Sequence, residues 1–573
     1  MPQYCVASYL NIRYCLSHLT VQGWTLLISF PPAFNRQQLS RKEEFDIPKL
    51  HNRTANLFVL VVILSTAACT QVGPEYQEPP VAISETWETQ GAKTDPADIV
   101  EWWTVFNDPV LNQLIEIAYH KNYNLQVAGL RVLEARAQLG IAVGNRYPQN
   151  QAFFGAATAI RASKSNANTG GGGDLRFGQL ETGVGIGWEI DFWGRFQRGI
   201  ESADANLAAS IASYDDALMI LFSQVASTYV AIRTSELQLR IALDNVELQQ
   251  RSYTITEVNY RNGKEAELDV QQALALLRGT QSTVPGLEVA IRQSKNAMST
   301  LLGRPVNSLS GILGSTSKVP ANPPDFAIGV PADLLRRRPD IRQAELQAMA
   351  QTALVGVATA DLYPSFVLSG TVGLSAATAT DTTRSGDTGF SALFSGDSLQ
   401  YAAGPSFSWN LFNYGRIKNN IRVQDARLQQ LLVNYQNTVL RAAQEVEDSM
   451  IAYVKSLDER YLLVEAVGAA ERSEVLSMLR YKEGFSGYQR VLDAQQRLVV
   501  QQQRQAANLG SIALNLISIY KALGGGWQVR ENQPFVDTET QRTMQERTDW
   551  GQLLDPAATE PPEKPKAVRA PDW

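Results

Sequence analysis

Few residues in this 573-residue chain are of types that do covalent chemistry, and their positions narrow the options. There are 3 cysteines and 3 histidines. Cys5, Cys15 and Cys69 all precede residue 70, and of His18, His51 and His120 only the last lies beyond Cys69. Past that point the chain can form no disulfide and no Cys/His metal site. A Ser–His nucleophile–base pair would have to use His120, in IAYHKNYN, which reads as a surface histidine at a helix end. The run GGGG at 170–173 could suit a phosphate cradle, but no Gly-Lys-Ser/Thr follows it, so it reads as a flexible loop. The inventory points away from an enzyme, and no metal or diffusible cofactor is expected.

Cys69 is a different case. It closes the segment LHNRTANLFVLVVILSTAACT, where Lys49 and Arg53 form a basic flank. Leu57 to Leu64 is an unbroken apolar run, and Ser65, Thr66, Ala67 and Ala68 are small. The apolar run is far shorter than the roughly 20 residues that span a bilayer. It suits the apolar region of an export signal. The pattern predicts a lipoprotein signal at about residues 47–68, with a covalent lipid on Cys69. Thr66 stands where such signals usually carry leucine, and a signal cut elsewhere is the alternative. Thr70 follows the cysteine, not the aspartate that would suggest inner-membrane retention. Residues 1–46 do not fit a signal, and no methionine lies between Met1 and Met219. The expected translation start is therefore near Ile47 or Leu50, at a non-AUG codon. Beyond residue 68, 45 Lys+Arg face 54 Asp+Glu with no basic cluster, so nucleic acid is not an expected partner.

The elements that position the remaining candidates come in two copies. At an offset of 221 residues, Trp188, Gly194, Arg195, Tyr214, Tyr260, Gly263 and Gly303 meet Trp409, Gly415, Arg416, Tyr435, Tyr481, Gly484 and Gly524. Upstream the offset is 216, and Gly140, Tyr147 and Pro148 meet Gly356, Tyr363 and Pro364. Each copy reads as helix, strand, strand, long helix, helix. In the first, Asn124 to Tyr147 is helical in composition, ended by Tyr147-Pro148. QAFFGAATAIRA and ETGVGIGWEIDF read as strands. Arg195 to about Asn259 is an uninterrupted helix of roughly 100 Å at 1.5 Å per residue. Glu267 to Leu302 is a further helix, which Pro285-Gly286 should kink or break. Two short helices end to end match one long helix in each copy, as in a tall bundle of uniform height. Leu492, Val499, Ala506, Ala513 and Tyr520 form a heptad seam, and Gln495, Gln502, Leu509, Leu516 and Leu523 sit three positions on. Four strands cannot close a membrane barrel, which takes about eight, so any barrel must be shared between chains.

With these motifs in place, residues 69–527 resemble the outer-membrane efflux proteins, the TolC-like ducts of tripartite RND-type efflux systems, and most of all their lipoprotein branch. The resemblance rests on CTQVGPEYQEPP, WWTVFNDPVLNQLI, DFWGR, LLRRRPDIRQAE, LFNYGR and YKALGGGW, in that order. It implies a mainly α, internally duplicated duct with a membrane β-barrel. Three chains, a homotrimer, would share one 12-stranded barrel in outer-membrane lipid and a periplasmic α-barrel of twelve helical columns. A periplasmic adaptor (a membrane fusion protein) and an inner-membrane RND-type pump would dock at its lower end. Drugs or other toxic small molecules would pass without chemistry; metal-ion efflux and type I protein secretion are the alternatives. A lipid-anchored structural coiled coil is the reading from a different class.

The resemblance also assigns segments and sites. Residues 1–68 are an extension plus signal, and 69–123 an anchor and equatorial segment. The first repeat covers 124–303, with strands at about 149–191, and 304–338 is a linker. The second repeat covers 339–527, with strands at about 365–411, and 528–573 is a partly disordered tail; the composition of 530–573 reads as disorder. The tip turns carry Gly263, Gly484 and Gly487. Three copies of Asp493 would ring a narrow periplasmic aperture, raise one another's pKa values and favour cations. Gln489 would face the same opening, and Arg490 stands where some relatives have a second acid and could pair with a neighbouring helix. The matching residues of the first repeat, Leu268, Asp269 and Gln272, would leave that tip less acidic towards the pore, with Asp269 free to join a pair between tips.

Overall fold

The computed structural model describes residues 71–80, 99–161, 163, 165, 176–314, 318–320, 337–378, 391–531 and 533–555. The chain divides into two units, Met1–Ser65 and Thr66–Trp573. The first unit lies outside the described residues, as do Cys69, its signal segment and the GGGG run. The second unit carries helices α1 (Pro109–Lys121), α2 (Tyr123–Gly144), α3 (Arg195–Arg261), α4 (Glu267–Leu301), α5 (Pro339–Ala360), α6 (Arg416–Lys482), α7 (Gln489–Ala522) and α8 (Thr538–Arg547). Strands β1 (Asn150–Arg161), β2 (Arg176–Ile190), β3 (Ser365–Thr378) and β4 (Leu399–Ser408) form one antiparallel sheet in that order.

The two repeats match in detail. α3 and α6 are each 67 residues long. Their short partners are α2 and α4 at 22 and 35 residues, and α5 and α7 at 22 and 34. Both long helices start after a glycine held in the left-handed region, Gly194 at φ 74° and Gly415 at φ 81°. That conformation is open to glycine at little cost and explains the shared Gly-Arg of DFWGR and NYGR. Trp188 Nε1 donates to the Arg146 carbonyl at 3.1 Å, and its copy Trp409 donates to the Leu362 carbonyl at 3.0 Å. Both contacts obey the two sequence offsets, so the duplication is one of contacts as well as letters.

The main core lies around the middle of α3. Trp102 is 1% exposed and stacks on Tyr520, with ring centroids 5.5 Å apart. Trp103 and Phe222 meet edge to face at 4.8 Å. Asp108 caps α1 and accepts from the Tyr229 hydroxyl at 2.7 Å, while buried Arg233 donates to the Leu313 carbonyl at 2.5 Å. Three segments outside the repeats thus converge on one level of the long helix: residues 99–121, 304–313 and 528–555.

Two expectations fail here. Residues 530–573 read as disorder, yet 533–555 are ordered and include α8. Asp537 caps α8 by accepting from the Glu539 and Thr540 amides. Arg530 donates to buried Asp215 at 2.6 Å and lies over the Phe535 ring, which meets Tyr214 at 5.1 Å. The segment is polar because only a few side chains, Phe535, Val536, Met544 and Leu554, enter the core. The second concerns the break expected at Pro285, where α4 runs on as a single helix. One missing N–H, on the exposed side of a helix that packs on α3, is not decisive.

Candidate functional site at the helix tips

Each long helix ends in the same turn. In the first tip the Gly263 amide donates to the Tyr260 carbonyl at 2.8 Å and the Lys264 amide to the Asn259 carbonyl at 2.9 Å. In the second, the Gly484 amide donates to Tyr481 at 3.0 Å and the Phe485 amide to Arg480 at 2.8 Å. These are two copies of a Schellman stop, which needs a left-handed residue after the C-cap. Gly263 and Gly484 supply it at φ 69° and 77°. Gly487 lies in the second turn, but its φ is not positive, and its counterpart Ala266 precedes α4 equally well. The glycine there is not required by backbone conformation.

Above the turns the two hairpins are tied together. Tyr481, Tyr488, Val491, Leu492 and Ala273 form a small buried cluster, with the Tyr481 and Tyr488 rings 5.5 Å apart at 66°. The Tyr481 hydroxyl accepts from Asn259 of α3 at 3.1 Å, so the second tip reaches across to the first. Further up, polar side chains bridge α7 and α3. Gln495 donates to Ser252 at 2.7 Å and to Glu474 at 3.2 Å, and one heptad on Asn245 donates to Gln502 at 2.8 Å. Gln495, Ser252 and Asn245 are buried. Sequence reading marked Gln495 and Gln502 as polar interruptions of the seam; their partners Ser252 and Asn245 carried no signal of their own.

The aperture candidates fall on the free side of α7. Asp493, Gln489 and Arg490 are exposed. Gln489 Nε2 donates to Asp493 Oδ1 at 3.2 Å, which places the amide and the acid one turn apart on one face. Arg490 is exposed, and no carboxylate of the same chain pairs with it among the described residues. In the first tip Leu268 is 65% exposed and Gln272 is half-buried, with its Oε1 shielded and unpartnered among the described residues. Among the described residues of the one chain, Asp269 makes no ion pair with a cation of the other tip. It lies beside Glu265 of its own turn, and Glu265 in turn contacts Tyr481. Burial raises the pKa of Glu265, and the neighbouring Asp269 carboxylate raises it further. Among the described residues no group of His, Cys, Asp and Glu side chains is arranged to hold a metal ion.

The comparisons fit this geometry. The family model "Outer membrane efflux protein" matches residues 114–304 and 330–525. The chain belongs to the outer membrane efflux protein family. It is 30% identical to the cation efflux system protein CusC of Escherichia coli K12, over 82% of this chain and 99% of that protein. It is equally 30% identical to the pyoverdine export outer membrane protein OpmQ of Pseudomonas putida, over 82% of this chain and 98% of the relative. Among solved structures it is similar to the outer-membrane channel OprN, with a TM-score of 0.73 and 31% identity over 80% of this chain and 99% of OprN. The helices and sheet described above are therefore those of an outer membrane efflux protein.

Proposed function

We propose that the chain is the passive exit duct of a tripartite efflux pump for drugs or other toxic small molecules, working as a homotrimer gated at the periplasmic tip. One observation carries this reading. A four-stranded sheet with two open edges sits at one end of helices about 100 Å long, and two helical turns sit at the other. Four strands are too few to close a barrel, and three chains supply twelve. A helical column of that length suits a passage from the outer membrane down through the periplasm to a periplasmic adaptor and an inner-membrane pump of the RND type. In this reading the transported molecule crosses without reacting. Lipid on Cys69 would fasten each chain to the outer membrane; a relative with 30% identity over 82% of this chain, SilC of Salmonella typhimurium, bears the name of a probable outer membrane lipoprotein.

Export of metal cations is the second reading. It is favoured by the similarity to CusC and by Asp493, whose carboxylate would favour cations at a threefold aperture. A deletion strain separates the two. Hypersensitivity to dyes, detergents or antibiotics, reversed by the intact gene, supports drug export. Hypersensitivity to metal salts alone supports the second reading, and unchanged tolerance to all of them contradicts both.

A further inference from the structure

The duplication predicts a contact that a single chain cannot make with itself. Within the chain, the linker after β2 docks on the turn before β3. Trp193 stacks on Tyr363 with ring centroids 4.6 Å apart and donates from Nε1 to the Pro364 carbonyl at 2.8 Å. Phe192 meets Phe366 edge to face at 4.9 Å just above. The linker belongs to the first repeat and the turn to the second. The 221-residue offset carries Trp193 to Tyr414, and the 216-residue offset carries Tyr363 and Pro364 to Tyr147 and Pro148.

We propose that Tyr414 of one copy of this chain docks on Tyr147 and Pro148 of the next copy, repeating between subunits the joint that Trp193 makes within one. The proposal rests on the trimeric reading above.

Three observations support it. Tyr414 is 101% exposed, whereas its counterpart Trp193 is partly covered, and Phe412 close to Tyr414 is 90% exposed. The second observation is strand direction. Trp193 lies below the β2–β3 pair, where Ile190 at the end of β2 faces Phe366 at the start of β3. β4 ends at Ser408 shortly before Tyr414, and β1 starts at Asn150 shortly after Pro148. Docking Tyr414 on the neighbour's Tyr147 therefore lays the two open sheet edges side by side in the same antiparallel sense. The third is the long helix below the joint. On α3, which packs on α5, Ala212 is fully buried. Its copy on α6, Val433, is 53% exposed, and α2, the copy of α5, exposes Val127 and Ile141 at 46% and 66%.

The test is a pair of matched double variants in the full chain, cross-linked in detergent with a short bifunctional thiol reagent and run on a denaturing gel. Trp193→Cys/Tyr363→Cys should react within each chain and stay at monomer mass. Tyr147→Cys/Tyr414→Cys should give covalent dimers and trimers, while each single variant gives neither. Sedimentation of the parent protein separates the two levels of the claim. A monomeric parent overturns the trimeric reading itself. A trimeric parent whose second pair fails to link, while the first pair reacts, overturns the joint and leaves the trimer standing. So does quenching by brominated lipid of a Tyr414→Trp variant, which would place the ring against lipid. As a second readout, Tyr414→Ala should lower the temperature at which trimers dissociate, and Tyr414→Trp should preserve it. Equal effects of both substitutions would contradict a stacked ring.

Discussion

The two helical tips share a turn and differ in what surrounds it. Their Schellman hydrogen bonds agree to within a few tenths of an ångström. Yet Tyr260 of the first tip is 42% exposed, while its copy Tyr481 is 5% exposed and anchors the cluster that ties the hairpins together. The acids are distributed differently as well. The first tip holds Glu265 and Asp269 against each other in its own turn, and the second presents Asp493 outward beside Gln489. The teaching is that duplication preserved the way the helices turn back and let the side chains diverge. The first tip serves as the support, and the second carries the outward-facing acid and the tyrosines that hold it to that support.

The strongest way to break this comparison is to exchange the tyrosines' fates. Tyr481→Ala should loosen both tips, because it removes the ring and the acceptor of Asn259 together; truncating a buried aromatic costs about 3 kcal/mol or more. Amide exchange near residues 255–265 and 478–492 should speed up, and single-channel conductance should rise. Tyr260→Ala should leave both nearly unchanged, and equal effects would erase the distinction between the tips. Next in size are the glycines. Gly263→Ala and Gly484→Ala should each lower stability by about 1 kcal/mol, since both force alanine into the left-handed region. Gly487→Ala should cost much less, because its φ is ordinary. Thermal melts of the three variants check the order.

The smallest effect concerns the paired acids. Glu265 has a raised pKa in the folded protein, through burial first and Asp269 second. Its neutral form is therefore favoured by folding. The contribution to tip stability is present at pH below its unfolded value of about 4.3 and is lost as pH rises through the folded value. Asp269→Asn should bring that pKa partway back and flatten the pH dependence of amide exchange in the first tip. Carboxyl chemical shifts followed against pH would show it; an unchanged titration would mean that the two acids do not interact.

Much of the architecture was legible because it repeats. A fixed offset and a heptad seam are properties of the letters, so the helix lengths, the strand pairs and the tip glycines could be read from them. What escaped reading depends on contacts between distant segments. Residues 533–555 look too polar to fold, but Arg530 and Phe535 are ordered by Asp215 and Tyr214, more than 300 residues earlier. Pro285 looks like a break, and packing on α3 carries the helix past it. Tyr260 and Tyr481 are identical in sequence and aligned, so nothing in the letters says which one turns inward. Asp269 and Glu265 lie four residues apart, and the alignment of the repeats did not single out their contact within one turn.

The most direct test of the central claim, that the second tip carries the gate acid, is ion selectivity in planar bilayers under a salt gradient. The parent channel should be cation-selective. Asp493→Ala should move the reversal potential towards zero or enlarge conductance, while Gln272→Ala, at the matching position of the first tip, should leave both unchanged. If Asp493→Ala changes neither quantity, or if the two variants behave alike, Asp493 does not line the constriction.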